Sequence, residues 1–268
     1  MATVLESNKV KIAKRVIEVF EYFDENHPTA TVMDIVRRYG RPQSSTSELL
    51  SSLVDMGLLY KDRRQRSYWP TPRLAVMGAG AQPAPVRDGR LFVFMDRLAR
   101  STRYSVALFG MVGTHVQVFH WSPGSDPRAA AIHRGSSEPL SSSVAGQLLL
   151  SSMESDQVAG MLRRLNAESE GGRLKVAELA EQVAALRHAG HATGAAGFLP
   201  DHQVTAIMLR AQPEERPLAL GIIYPEGAAV DTNAMLATLE RGIGGAAPLA
   251  DGAEAQDAPL MAPMMAAV

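Results

Sequence analysis

The sequence predicts an α+β protein with two domains, and three observations support that prediction. Residues 8–72 combine apolar stripes of helical period with two short strand-like segments. Residues 73–89 are rich in Ala, Gly and Pro, which is typical of a linker. Residues 90–245 alternate between strand-like and helix-like segments, as expected for an antiparallel sheet flanked by helices. The chain of 268 residues is long enough for both domains.

Two short amphipathic helices joined by a tight turn are predicted near the N-terminus. The first begins after Thr31, a good N-cap, and ends at Gly40, because glycine accepts the left-handed conformation there. The second begins at Pro42, since proline is tolerated at the first helical position. So short a connection forces the helices to cross steeply, which predicts a helix-turn-helix. The apolar stripes are Val32, Ile35, Val36 and Tyr39, then Thr46, Leu49, Leu50 and Leu53.

A hairpin and a supporting helix complete a winged helix-turn-helix domain over residues 8–72. Residues 58–60 and 67–69 resemble two strands, and the tip between them is basic. The supporting helix is expected to bury the stripe Ala13, Val16, Ile17, Phe20 and Phe23. A second stripe on that helix, with Ile12, Val19 and Tyr22, and the connector residues 74–77 are candidates for contact with a second copy of the chain.

The expected partner of such a domain is double-stranded DNA. Small polar side chains on the second helix, Gln43, Ser44, Ser45 and Ser47, would face base edges in the major groove. Arg63, Arg64 and Arg66 at the hairpin tip would contact phosphates or the minor groove. A Ser-rich helix face can also be an ordinary solvated surface, and that alternative stays open.

The run RRYGRPQSSTSELLSSLVDMGLLYKD resembles the IclR-type bacterial transcription regulators. Pro42, Ser44, Leu49, Leu50, Leu53 and Gly57 fall on the family pattern. Two positions depart from it: Gln43 stands where the family usually has Lys, and Glu48 where it often has Arg. Both departures remove an expected phosphate contact.

The C-terminal half is similar to the effector-binding domain of the same family, which has a GAF-like fold. The similar runs are PLSSSVAGQLLL, LAEQVAALRHAGHATG, HQVTAIMLR and PLALGIIYP. This resemblance implies a pocket between the sheet and the helix after Pro139. The expected polar contacts are Ser136, Ser141 and Thr205, and the expected apolar wall is Phe109, Met111, Ile207 and Ile223.

The ligand of that pocket is expected to be an apolar or aromatic small molecule. The family has serines where this chain has Gly221 and Ile223, so the pocket has lost polar groups that would pair with a compact acid. A filled core without a ligand would show the same alternation of apolar residues, and that alternative also stays open.

The expected function is therefore a ligand-responsive, DNA-binding transcription regulator that acts as a homodimer or homotetramer. The alternative is a protein-interaction module whose winged domain no longer binds DNA. We do not expect an enzyme, because no catalytic constellation is evident, and the run 141–143 is better explained as a helix-capping turn.

Composition agrees with a regulator in the cytoplasm. There is no cysteine, and we expect no signal peptide, membrane span, metal site or cofactor. Residues 1–78 contain 12 basic and 9 acidic residues, against 15 and 19 in the remainder. A mildly basic head on an acidic body suits a domain that contacts DNA. The tail, residues 246–268, is expected to be disordered.

Overall fold

The computed structural model describes residues 8–24, 26–169, 174–209 and 216–246. The chain divides into two compact units between Gln82 and Pro83, inside the stretch that the composition marks as a linker. The predicted disordered tail lies outside the described residues, apart from residue 246.

The N-terminal unit is a three-helix core with a small sheet. The strand β3 lies between β1 and β2, and both pairings are antiparallel. Short helical segments follow at Pro72–Val76 and Ala79–Ala81. The elements are α1 (Asn8–Glu21), β1 (Ala30–Thr31), α2 (Val32–Tyr39), α3 (Gln43–Asp55), β2 (Leu59–Asp62), β3 (Ser67–Pro70) and α4 (Pro72–Val76).

The ends of α2 are as the sequence predicts. Thr31 is the N-cap and forms a capping box with Asp34, and Gly40 ends the helix with φ +61°. Pro42 is the residue before α3 rather than its first residue, since its ψ of 137° is extended. The expected helix-turn-helix is thus present, with a boundary shifted by one residue.

The core-facing side of α1 differs from the predicted stripe. The structure buries or half-buries Val16, Val19, Phe20 and Phe23, whereas Ile17 remains 57% exposed. The predicted stripe and the observed one both fit a helical period. The packing of α1 against α2 and α3 decides which of the two is buried. Val19 is only 1% exposed, so the expectation that it contacts a second copy is wrong.

The C-terminal unit has a six-stranded antiparallel sheet in the order β6-β5-β4-β9-β8-β7. Helices α7, α8 and α9 cover one face through a core that includes Phe109, Val118 and Ile223. Helices α6 and α10 cover the other face, where Leu108 and Tyr224 are buried. The α+β class is therefore confirmed.

The elements of the C-terminal unit are α5 (Ala84–Arg87), α6 (Arg90–Thr102), β4 (Ser105–Val112), β5 (His115–Ser122), a 3-10 turn (Pro127–Ala131), β6 (Ser137–Pro139), α7 (Val144–Leu150), α8 (Ser155–Glu168), α9 (Val176–Ala189), β7 (His191–Ala195), β8 (His202–Met208), β9 (Leu218–Pro225) and α10 (Thr232–Ala246).

The capping box of α2 generates a prediction about pH. The Thr31 backbone N–H donates to Asp34 Oδ2 at 2.8 Å. This bond and the Thr31 hydroxyl hold the pKa of Asp34 below its usual range. Asp34→Ala should therefore destabilise the N-terminal unit by about 1 kcal/mol at pH 7. The loss should shrink as the pH falls below about 3.9, because the stabilising form is the carboxylate.

Urea unfolding followed by Trp69 fluorescence in a Trp121→Phe background measures this effect, since the chain has two tryptophans. Asp55→Ala, which removes an exposed acid from the end of α3, is the control. A loss of equal size at pH 7 and pH 3 would contradict the capping role.

Candidate functional site

The exposed face of α3 is set by its buried residues. Thr46, Leu50 and Leu53 point into the core and are at most 1% exposed. The opposite side carries Ser44 and Glu48, both exposed. Gln43 is exposed at the start of the helix, and Ser47 is half-buried on the flank. Gln43 and Ser44 are thus accessible, while Ser47 offers less surface.

Ser45 lies on the other flank and faces α1. Arg15 Nη2 donates to Ser45 Oγ at 3.2 Å, and Ser45 Oγ is 3.3 Å from the carbonyl oxygen of Pro42. Its hydroxyl is therefore already engaged within the domain. The structure does not place Ser45 beside Ser44 on one surface.

A basic groove that the sequence analysis missed adjoins Ser45. It has a volume of about 590 Å³, and its lining is Lys11, Ile12, Lys14, Arg15, Arg41, Pro42 and Ser45. Arg41 forms an ion pair with Glu18 at 2.6 Å. Lys11 and Lys14 lie one turn apart on α1, so the spacing of basic residues on that helix could have revealed this one wall of the groove.

The hairpin tip, hereafter the wing, presents three arginines to solvent. Asp62 Oδ1 accepts the backbone N–H groups of Arg64 at 2.7 Å and Gln65 at 3.1 Å, so the turn is shaped by an aspartate. Arg66 closes the turn in the left-handed region, with φ +53°. Arg63, Arg64 and Arg66 are exposed, and none forms an ion pair within the described part of the chain.

The expected ligand-contact residues fall on two faces of the larger sheet. Phe109, Met111 and Ile223 belong to the side covered by α7, α8 and α9. Ile207 packs on the α6 and α10 side, and Thr205, two residues away on β8, shares its face. The seven residues therefore do not line one space.

The reason is the register between β8 and β9. Thr205 pairs with Ile222 and Ile207 with Leu220, whereas Ile223 pairs with Val204. Directly paired residues lie on the same face of the sheet, so Thr205 and Ile207 share a face with Ile222 and Leu220. Ile223 is adjacent to Ile222 on β9 and therefore points to the opposite face. The placement of Thr205 and Ile207 in a pocket beneath α7 is therefore wrong.

Thr205 instead belongs to a chain of hydroxyl groups. Its Oγ1 lies 3.0 Å from Thr193 Oγ1 and 2.9 Å from the Tyr224 hydroxyl oxygen. Thr205 is fully buried and Tyr224 is 2% exposed. The hydroxyl of Thr205 therefore satisfies the buried Tyr224.

The two serines lie in separate loops. Ser136 is half-buried, and its Oγ accepts the backbone N–H of His133 at 3.0 Å. Ser141 is half-buried in the loop before α7, and its carbonyl oxygen accepts the Gln147 side-chain amide at 3.4 Å. The side chain of Ser141 has no hydrogen bond within the described residues.

Aromatic packing fills the α7 side of the sheet near Gly221. A Cβ at Gly221 would lie 2.7 Å from Val204 Cγ2 and 3.1 Å from Phe109 Cε2. The Phe109 ring stacks on Phe198, with centroids 5.9 Å apart. The sequence analysis missed Phe198. Its side chain is half-buried, so the Phe198 side of the aromatic pair is accessible from the surface.

His120 is half-buried, and its Nε2 is the one buried side-chain N or O atom of the described residues without a hydrogen-bond partner. Its ring packs on Phe92 with centroids 4.4 Å apart. Burial lowers the pKa of His120 to about 4, so the ring is neutral at pH 7. The searched residues contain no group of three or more His, Asp or Glu side chains that could hold a metal ion.

No helix within the described ranges is long and apolar enough to cross a membrane.

Comparison with known proteins agrees with this architecture. Residues 13–63 match the family model of the IclR helix-turn-helix domain. No curated protein matches the chain. An IclR regulator from Alicyclobacillus acidocaldarius is 19% identical with a TM-score of 0.57, and the match covers 88% of this chain and 96% of that one. The IclR of Thermotoga maritima is 13% identical with a TM-score of 0.57, with coverages of 88% and 96%.

A third structure is an IclR homologue from Microbacterium hydrocarbonoxydans complexed with 4-hydroxybenzoate. It is 18% identical with a TM-score of 0.56, and the match covers 88% of this chain and 97% of that chain. The resemblance to IclR-type transcription regulators is confirmed. The matched segment lies in the N-terminal unit, and the chain has the fold of these solved regulators.

The hydroxyl chain generates a prediction about stability. Thr205→Val should cost about 1–3 kcal/mol, because it leaves the Tyr224 hydroxyl unpaired in the core. Tyr224→Phe should cost a similar amount, and the double variant should cost less than the sum. Chemical denaturation followed by Trp121 fluorescence in a Trp69→Phe background measures all three. Additive losses would contradict a direct contact between these hydroxyls.

Proposed function

We propose that this protein is a ligand-responsive transcription regulator whose N-terminal unit binds duplex DNA. The observation that supports it best is an exposed recognition helix with small polar residues in the same domain as three exposed wing arginines. The helix offers hydrogen-bonding groups to base edges, and the wing offers cations to phosphates. Because the proposed partner is DNA, we also propose a cytoplasmic location.

The division of charge within the domain explains how it would bind. Helix α3 contains no Lys or Arg, and its two charged residues are Glu48 and Asp55. Attraction to phosphates must therefore come from the basic groove on α1 and from the wing. We propose that Gln43, Ser44 and Ser47 approach bases, and that Ser45 positions Arg15 toward the backbone instead.

The alternative, a winged domain that binds a protein and has lost DNA binding, rests on Gln43 and Glu48. It gives no role to the unpaired arginines of the wing. A mobility-shift assay with the DNA adjacent to the gene separates the two functions. A shifted complex supports the regulator, and its absence supports the alternative.

We further propose that the regulator is a homodimer, which could pair into a homotetramer. One helix-turn-helix contacts few base pairs, so two copies on a two-part site provide the specificity. The proposed contact surface consists of exposed apolar residues of the N-terminal unit outside the basic groove: Ile17 on α1, and Val76 and Met77 in the connector.

The wing generates the first prediction of this function. Substitution of Arg63, Arg64 and Arg66 by alanine should weaken binding to all duplexes, because phosphate contacts carry no sequence information. The slope of log K against log salt should become shallower by up to about 3 for each bound subunit, at roughly 0.9 per lost phosphate contact. Fluorescence anisotropy over a range of salt concentrations measures the slope.

The matched control is a triple variant that removes the same charge from exposed positions of the C-terminal unit, with alanine in place of Arg97, Arg100 and Arg163. This control should keep the wild-type slope. An unchanged slope in the wing variant would remove the wing from the proposed interface.

We propose that the C-terminal unit binds an aromatic or apolar effector on the α7 side of the sheet. The Phe109–Phe198 pair and the half-buried Met111 offer an apolar wall, and Ile223 lies deeper in the same core. Ser136 and Ser141 are the proposed polar contacts. The 4-hydroxybenzoate complex of the Microbacterium homologue makes aromatic acids the first compounds to test.

A thermal-shift screen with 4-hydroxybenzoate and related aromatic carboxylates should give a ligand that raises the melting temperature. Ser141→Ala should reduce that shift, whereas Thr205→Val, on the opposite face, should preserve it relative to its own baseline. Loss of the shift in Thr205→Val alone would place the effector on the α6 side. No shift with any compound would favour a filled core.

A further inference from the structure

The carboxylate of Glu48 occupies an unusual position for a DNA-reading helix. Glu48 is exposed on the side of α3 opposite the buried Leu50 and Leu53. Its neighbours on that face, one turn away, are Ser44 and Ser51. Because both are short, the carboxylate of Glu48 is the group that extends furthest from this part of the helix.

Nothing within the described part of the chain neutralises this charge. No Lys, Arg or His forms an ion pair with Glu48. The nearby Ser52 hydroxyl donates to the Glu48 carbonyl oxygen at 3.0 Å and not to its carboxylate. The carboxylate is therefore free to meet a partner outside the domain.

Docking on DNA would bring this charge into a groove lined by phosphates. A carboxylate there is repelled by the backbone and loses water, which is costly unless a hydrogen-bond donor replaces the water. The major-groove edge of a C·G pair offers such a donor, the N4 amino group of cytosine, and Glu or Asp accepts from it. A base without that donor leaves the charge unpaired.

We propose that Glu48 is a specificity-determining residue that accepts a hydrogen bond from cytosine N4 at one position of each half-site. The inference rests on the proposed DNA-binding function. It assigns Glu48 a double role: it selects one C·G pair, and it weakens binding to every sequence that lacks it. In the second role, repulsion between the Glu48 carboxylate and the phosphates discriminates against sequences that lack this C·G pair. The wing supplies the attraction to phosphates that holds the protein on DNA.

Selection from a randomised duplex library with the full-length protein tests the proposal. The wild type should enrich a site with a fixed C·G pair in each half. Glu48→Gln should change the preference at that position from cytosine to adenine, since Gln pairs with adenine N6 and N7. Glu48→Ala should remove the preference, with discrimination at that position falling by roughly 5- to 150-fold. Both variants should bind random duplex more tightly than the wild type.

Asp55→Asn is the matched control, because it neutralises the other acid of α3 two turns further along, about 10 Å away. It should keep the cytosine preference. Variants of Glu48 that enrich the same sites as the wild type would overturn the role of Glu48 and leave the regulator intact. A wild type that enriches no duplex would overturn the proposed function and the inference together.

Discussion

The packing of α3 against the rest of the N-terminal core is the constraint on which the proposed DNA interface depends. Thr46, Leu50 and Leu53 are almost completely buried, and burial of each of the two leucine side chains contributes roughly 1.5–3 kcal/mol. Rotation of α3 by one residue would expose these side chains. The same burial therefore fixes which residues face outward, and Ser44 and Glu48 gain their positions from it. The geometry of the reading surface is a consequence of the core.

In the proposed interface, the affinity for DNA and the selectivity among sequences come from different elements. The recognition helix has no cation, while the groove beside α1 and the wing are basic. In this proposal, cations on the periphery attract any duplex, and the negatively charged helix penalises most sequences.

The sequence predicted helix ends and strands well where the residue types of a short segment determine its backbone conformation. The capping box at Thr31, the left-handed Gly40 and the alternating strands β4, β5, β8 and β9 all follow from residue type and period. The strand β7 was missed because its two Ala and its Gly are residues that strands disfavour, and its pairing with β8 holds it in the sheet.

The errors share one cause, which is that local patterns do not specify packing partners. Two overlapping stripes on α1 both fit a helix, and only the fold shows that Val19 is buried and Ile17 exposed. The alternation correctly shows which residues of β8 share a face, and likewise for β9. Which face of β8 lies on the same side of the sheet as which face of β9 follows only from the register between the two strands. The groove beside Ser45 is formed by residues from α1 and from the turn before α3, so no single segment reveals it.

Hydrogen–deuterium exchange of the full-length protein with and without a selected duplex tests the central claim most directly. The claim is that the N-terminal half of α3 and the wing form one DNA-binding surface. We predict slower exchange in peptides that cover residues 43–51 and 61–67 when the duplex is bound, with the sheet of the C-terminal unit unchanged. Binding that leaves both segments at their free exchange rates would contradict the account.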